Sequence, residues 1–133
     1  CLDDAGRPIQ ISEVTVCAPD TTAFGKEIQS VITRNLYRLW FSYANITGIT
    51  WWNVVDGGAA SGEPSFSGLY DKDMKKKPVY SVLDQLINHD WKTSFTTKMD
   101  KSGTIRFRGF KGHYRATWKG KKGRVQTMEF DVK

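Results

Sequence analysis

The chain is poor in the residues that announce the commonest chemistries. It has two cysteines, four prolines and two histidines in 133 residues. Two cysteines placed as Cys1 and Cys17 do not make a disulfide framework, although a bridge between them stays open. Cys17, directly after an apolar run, reads as a plain buried thiol. His89 and His113 stand apart from carboxylates and cysteines at metal-ligand spacing, so no metal site is expected, and no cofactor. No glycine-rich phosphate loop, Ser-His-Asp pattern or Cys-x-x-Cys motif occurs, which removes the usual nucleotide, serine-hydrolase and thioredoxin signatures. No apolar stretch approaches the roughly 20 residues of a membrane helix, no signal-peptide pattern is visible, and no segment repeats.

Charge is present but unevenly placed. Residues 1–90 carry eight Lys/Arg against eleven Asp/Glu, whereas residues 91–133 carry twelve against three. Such asymmetry can mark a nucleic-acid partner. Here the basic residues alternate with aromatic and apolar ones, which fits a solvated sheet face better.

The N-terminal part reads as a β-α-β crossover. Residues 8–16 (PIQISEVTV) and 46–57 (ITGITWWNVVDG) are short β-branched runs ending in loop residues, as buried parallel strands do. Between them, Pro19-Asp20-Thr21-Thr22 supplies a turn and candidate caps for a helix from Ala23 to Ser42. Phe24, Ile28, Val31, Ile32, Asn35, Leu36, Leu39 and Trp40 repeat at three-to-four spacing and are expected to pack on the sheet. Gly57 to Gly68 form a Gly/Ser/Ala-rich loop expected to be flexible. A second helix is expected from Pro78 to Asn88, with Val79, Val82, Leu83, Leu86 and Ile87 on its apolar face. After Trp91 the period changes to two. Candidate strands at 92–97, 104–108, 113–118 and 125–132 make a small antiparallel sheet.

Glu13 is a lone carboxylate in an apolar run, which in a buried strand costs several kcal/mol unless it is paired or has a role. Trp51 and Trp52 lie on the next strand. A carboxylate with an aromatic platform suits a sugar site, because aromatic faces stack on pyranose C–H faces. Alternation along the strand favours Trp52 as platform and Trp51 as core packing.

Three runs carry a family resemblance. Ile11-Ser12-Glu13-Val14-Thr15-Val16 resembles the nucleophile strand of glycoside hydrolase family 10. Ile49-Thr50-Trp51-Trp52-Asn53-Val54-Val55-Asp56-Gly57 resembles its last barrel strand, and Lys77-Pro78-Val79-Tyr80 resembles the motif opening its last barrel helix. The resemblance implies an α/β fold consisting of the last two βα units of a (β/α)8 TIM barrel in residues 1–90. Residues 91–133 would form the appended antiparallel β-domain. A complete barrel needs roughly 200–250 residues, so the other units would come from elsewhere, either the missing N-terminal part or a second copy.

The activity implied is that of a retaining endo-1,4-β-xylanase acting on β-1,4-xylan or xylo-oligosaccharides, secreted or at the cell surface or periplasm. Glu13 would be the nucleophile, and Trp52, Trp51 and Asn53 would line the substrate site. The family's acid/base glutamate, which follows an Asn, has no counterpart here. Asp56 is a poor substitute, since the family's Asp at that place is not the acid. Thr15 stands where the family often has Asp. The alternative reading is a non-catalytic carbohydrate-binding or accessory module. A membrane partner is not expected, nor is nucleic acid.

Overall fold

Val14, Val16 and Ala18, at every second position along the end of the first strand and just past it, are buried, whereas Glu13 and Cys17 are exposed. In the computed structural model, which describes residues 3–120 and 122–133, that strand is β1, Ile9–Val14. It runs parallel to β2, Ile46–Trp51, with helix α1, Ala23–Phe41, as the crossover. A second helix, α2, spans Pro78–Gln85 and ends in a wider π-type turn over Leu86–Asp90. The C-terminal strands β3, Gly112–Lys119, and β4, Val125–Val132, form an antiparallel hairpin. The architecture is mixed α/β, a parallel β-α-β unit followed by a hairpin, and it divides into two compact units, Cys1–His89 and Asp90–Lys133.

In the first unit, α1 starts where the capping residues predict. Thr22 Oγ1 accepts the Gly25 N–H at 3.0 Å, and Asp20 Oδ1 accepts the Thr22 N–H at 2.9 Å. The hydrogen bonds from Thr22 hold the Asp20 carboxyl below its usual range. A Cβ on Gly25 would lie 2.9 Å from the Asp20 backbone oxygen, so only glycine fits this first turn.

The face of α1 that packs inward is not the expected one. Gly25, Gln29, Thr33 and Tyr37, spaced by four, are buried. Phe24, Val31, Ile32 and Leu39 are exposed, Phe24 at 74%. Two stripes with the same period run along this helix, and periodicity alone does not say which one meets the sheet. Small and polar residues line the inner stripe because Gln29 there donates to Val16 O at 2.8 Å, satisfying a strand-end carbonyl. Burial pushes the Tyr37 phenol up to about 12. On α2, Val79, Leu83 and Leu86 are buried against α1, while Ile87 is exposed because the helix widens at that point.

Cys17 is a free, exposed thiol rather than a buried one. It alternates with the buried Val16 and Ala18 and so takes the outer side. Cys1, and with it the question of a bridge, lies outside the described residues.

In the second unit two of the four expected strands form. Residues 92–97 and 104–108 make no ladder. They come together through side chains: Phe95 and Phe107 rings lie 5.4 Å apart, and the Phe110 N–H donates to Thr93 Oγ1 at 3.2 Å. Asp100 closes the turn between them by accepting the N–H groups of Ser102 and Thr104. In the hairpin, Tyr114 stands opposite Phe130 on one face, with rings stacked at 5.7 Å. On the other face His113 stands opposite Asp131, and Arg115 opposite Glu129. His113 Nδ1 is 3.0 Å from Asp131 Oδ1, and Nε2 is 3.5 Å from Glu129 Oε2.

These carboxylates, Asp131 first, raise the His113 pKa above 6.5. The stabilisation is therefore complete below the unfolded-state value and is lost as pH rises through the folded one. An NMR titration of His113 should give a midpoint above 6.5 that falls in Asp131→Asn. A midpoint unmoved by that substitution would contradict the pairing.

Candidate functional site

Glu13 sits in a break of the β ladder. Ile11 pairs with Ile49 and Val14 with Trp51, so three steps along β1 match two along β2, and Ser12 and Glu13 form a bulge. Bulges bend the strand and re-aim side chains, often beside active sites. The expected burial of this carboxylate does not hold: Glu13 is exposed. The sheet has only two strands, and nothing among the described residues covers the carboxylate.

Immediately past the bulge, the Trp52 N–H donates to Val14 O at 3.0 Å. Trp52, the residue just past β2, is thus tied to the end of β1, with 48% of its surface exposed. Trp51 is half-buried, its ring 6.4 Å from Tyr37 and its Nε1–H donating to Asn53 O at 2.7 Å. Asn53 is buried and does not present its amide to the open face. Its Nδ2 donates to Glu63 Oε2 at 3.0 Å and to Ser67 Oγ at 2.9 Å. It acts as an anchor for the following loop.

That loop, residues 57–68, is tied by hydrogen bonds near its ends. Gly57 N–H donates to Ser65 O at 2.8 Å and Ala18 N–H to Phe66 O at 3.0 Å. Beneath it lies a buried ion pair that sequence reading missed. Lys77 Nζ is 2.8 Å from Asp56 Oδ1, with side chains only 1% and 7% exposed. Lys77 also donates to Phe66 O at 3.1 Å, and Asp56 Oδ1 accepts the Gly68 N–H at 2.8 Å. Asp56 is therefore a structural anion, spoken for on two sides. The available signal was a lysine directly before the Pro78 that opens α2, the last of the short basic run Lys75-Lys76-Lys77.

Gly68 lies so close to the strand end that a Cβ would be 2.3 Å from Asp56 N and 2.5 Å from Val55 C. Neither neighbour is a movable side chain. Gly68→Ala is expected to destabilise the first unit by about 3 kcal/mol, read from urea denaturation midpoints. An unchanged midpoint would show that the loop can leave the strand freely.

Among the described residues no cluster of His, Cys, Asp and Glu could hold a metal ion, and no helix is long and apolar enough to cross a membrane.

Comparison with known proteins then gives the context. The chain resembles part of xylanase 10B from Thermotoga petrophila RKU-1, solved in complex with xylobiose. The TM-score is 0.57 at 16% identity, over 67% of this chain and 29% of that one. What is shared is the fold. A β-glucuronidase from Faecalibacterium prausnitzii aligns at a TM-score of 0.49 and 20% identity, over 66% of this chain and 17% of the enzyme. No family model and no curated protein matches the chain. The β-α-β unit is thus a partial match to TIM-barrel enzymes and spans under a third of the xylanase's length.

Proposed function

We propose that this chain is the Glu13-bearing C-terminal part of a retaining endo-1,4-β-xylanase of glycoside hydrolase family 10, secreted or at the cell surface or periplasm. The observation that carries the reading is an exposed Glu13 in the irregular end of β1, next to Val14, whose carbonyl accepts the N–H of the half-exposed Trp52 just past β2. The partial fold likeness to a xylanase supports it. So do the uncovered apolar flank of α1 and the uncovered carboxylate, which are surfaces that neighbouring βα units cover in a closed barrel.

The chemistry follows from two carboxyl groups. The Glu13 carboxylate attacks the anomeric carbon and forms a glycosyl ester as the glycosidic C–O bond breaks. The leaving oxygen takes its proton from a carboxylic acid supplied by the rest of the barrel, roughly 5–5.5 Å away. Water, deprotonated by that same group, then releases the sugar from Glu13 with net retention. Trp52 offers its face to the sugar ring at the cleaved bond, Trp51 backs it, and Asn53 holds the loop that borders them.

A 2-fluoro-xylobioside with a good leaving group traps such an intermediate. Mass spectrometry of the peptides of the intact enzyme should place the label on Glu13. Label on another carboxylate, or inversion at the anomeric centre, would reject the reading.

A further inference from the structure

The hairpin unit holds an open cleft of about 620 Å³ at the β3–β4 turn, a volume typical of small-ligand sites. Its walls carry Trp118, Gln126, Lys119, Lys122 and Arg124, with Met99 from the preceding segment. The register explains the assembly. Trp118 stands directly opposite Gln126. The turn between the strands is closed by Gly120 N–H to Arg124 O and Gly123 N–H to Gly120 O, both 2.9 Å, which keeps Lys122 and Arg124 at the same end. The Gln126 amide lies along Gly120, where a Cβ would be 3.3 Å from its amide carbon.

The cleft is chemically one-sided. No carboxylate lines it. The acids of the hairpin are occupied elsewhere, Glu129 by Arg115 and His113, and Asp131 by His113. Among the described residues none of Lys119, Lys122 and Arg124 is in an ion pair. Four rings of the unit pack together: Phe107 touches Phe95, Tyr114 and Phe130. Trp118 stands outside that cluster, half-buried, at the wall of the cleft.

We propose that this cleft binds a uronic-acid-bearing oligosaccharide. The Trp118 face takes a pyranose ring, Lys122 and Arg124 take the carboxylate, and the Gln126 amide takes hydroxyl groups. The choice of a sugar rests on the hydrolase reading above; the demand for an anion beside one aromatic face comes from the cleft alone. Single-stranded nucleic acid suits the site less well, because successive bases need successive platforms and the cleft offers one.

The test is isothermal titration of the whole chain carrying Glu13→Gln, so that no sugar is turned over. The probes are xylotriose bearing 4-O-methylglucuronic acid and neutral xylotetraose. The acidic sugar should bind about tenfold more tightly, with affinity falling as salt is raised. Lys122→Gln with Arg124→Gln should remove that preference, and Trp118→Ala should weaken both sugars by about tenfold. Both cations are exposed, so their replacement leaves the fold intact even if loss of Trp118 does not. Equal affinity for the two sugars, or a preference that survives loss of both cations, overturns the proposal. Tighter binding of an oligothymidylate than of the acidic sugar overturns it in favour of nucleic acid. The two readings fail separately. Labelling of Glu13 without acidic-sugar binding removes the cleft alone, and acidic-sugar binding by a protein that never labels Glu13 removes the hydrolase alone.

Discussion

On the reading proposed above, Glu13→Gln in the full-length protein is expected to reduce xylan hydrolysis by a factor on the order of 10⁴–10⁶, the scale on which covalent enzymes lose activity when their nucleophile is removed. The amide keeps the size of the carboxylate and loses its charge and nucleophilicity. Substrate binding should survive, because the aromatic face of Trp52 is untouched. Glu13 is exposed and the fold asks nothing of it, so the thermal midpoint should move by little. This separates a chemical role from a structural one: activity is lost while stability stays. Trp52→Ala should show the opposite kinetic pattern, with sugar affinity weakened and Glu13 still open to labelling. A Glu13→Gln enzyme that turns over xylan at an undiminished rate would remove Glu13 from the mechanism.

Lys77→Met is expected to have the largest effect on stability, about 3–5 kcal/mol, because it leaves Asp56 as an uncompensated buried charge. Urea denaturation of the first unit, followed by tryptophan fluorescence, measures it. The loss should be partly recovered when Asp56 is replaced as well, since a buried pair exchanged for apolar groups of similar volume is often close to neutral. Recovery should be incomplete, because Asp56 Oδ1 also accepts the Gly68 N–H at 2.8 Å. The double-mutant cycle isolates the pair. If Lys77→Met costs no more than a surface substitution, about 0.5 kcal/mol, the ion pair does not hold the loop.

Both predictions concern the same stretch of strand ends. The bulge at Ser12–Glu13 and the loop after β2 are built differently. Glu13 is exposed, whereas Asp56 is buried and held by Lys77 Nζ and the Gly68 N–H. The role proposed for Glu13 is chemical, and the contacts of Asp56 are those of a structural group.

Much of the local structure could be read from residue pattern. The β-α-β order, the parallel pairing of β1 and β2, the Thr22 cap and the β3–β4 hairpin follow from β-branched runs, capping residues and period-two alternation. These are short-range properties, set by backbone sterics and near-neighbour hydrogen bonds. Glu13 and Trp52 stood out for the same reason: each is an odd residue in an otherwise regular run.

What pattern could not supply are features that depend on partners distant in the chain. The inward stripe of α1 is Gly25, Gln29, Thr33 and Tyr37 because Gln29 meets the carbonyls at the strand end. No period reveals that need. Nothing in the order of residues around Lys77 names Asp56 and Phe66 O as its partners, which only the folded chain brings to it. The segments at 92–97 and 104–108 have strand-like alternation, yet they meet through rings rather than a ladder. The bulge at Glu13 depends on how two strands pair, which neither strand encodes by itself. Charge satisfaction and register are long-range properties, and burial becomes definite only once the chain has closed on itself.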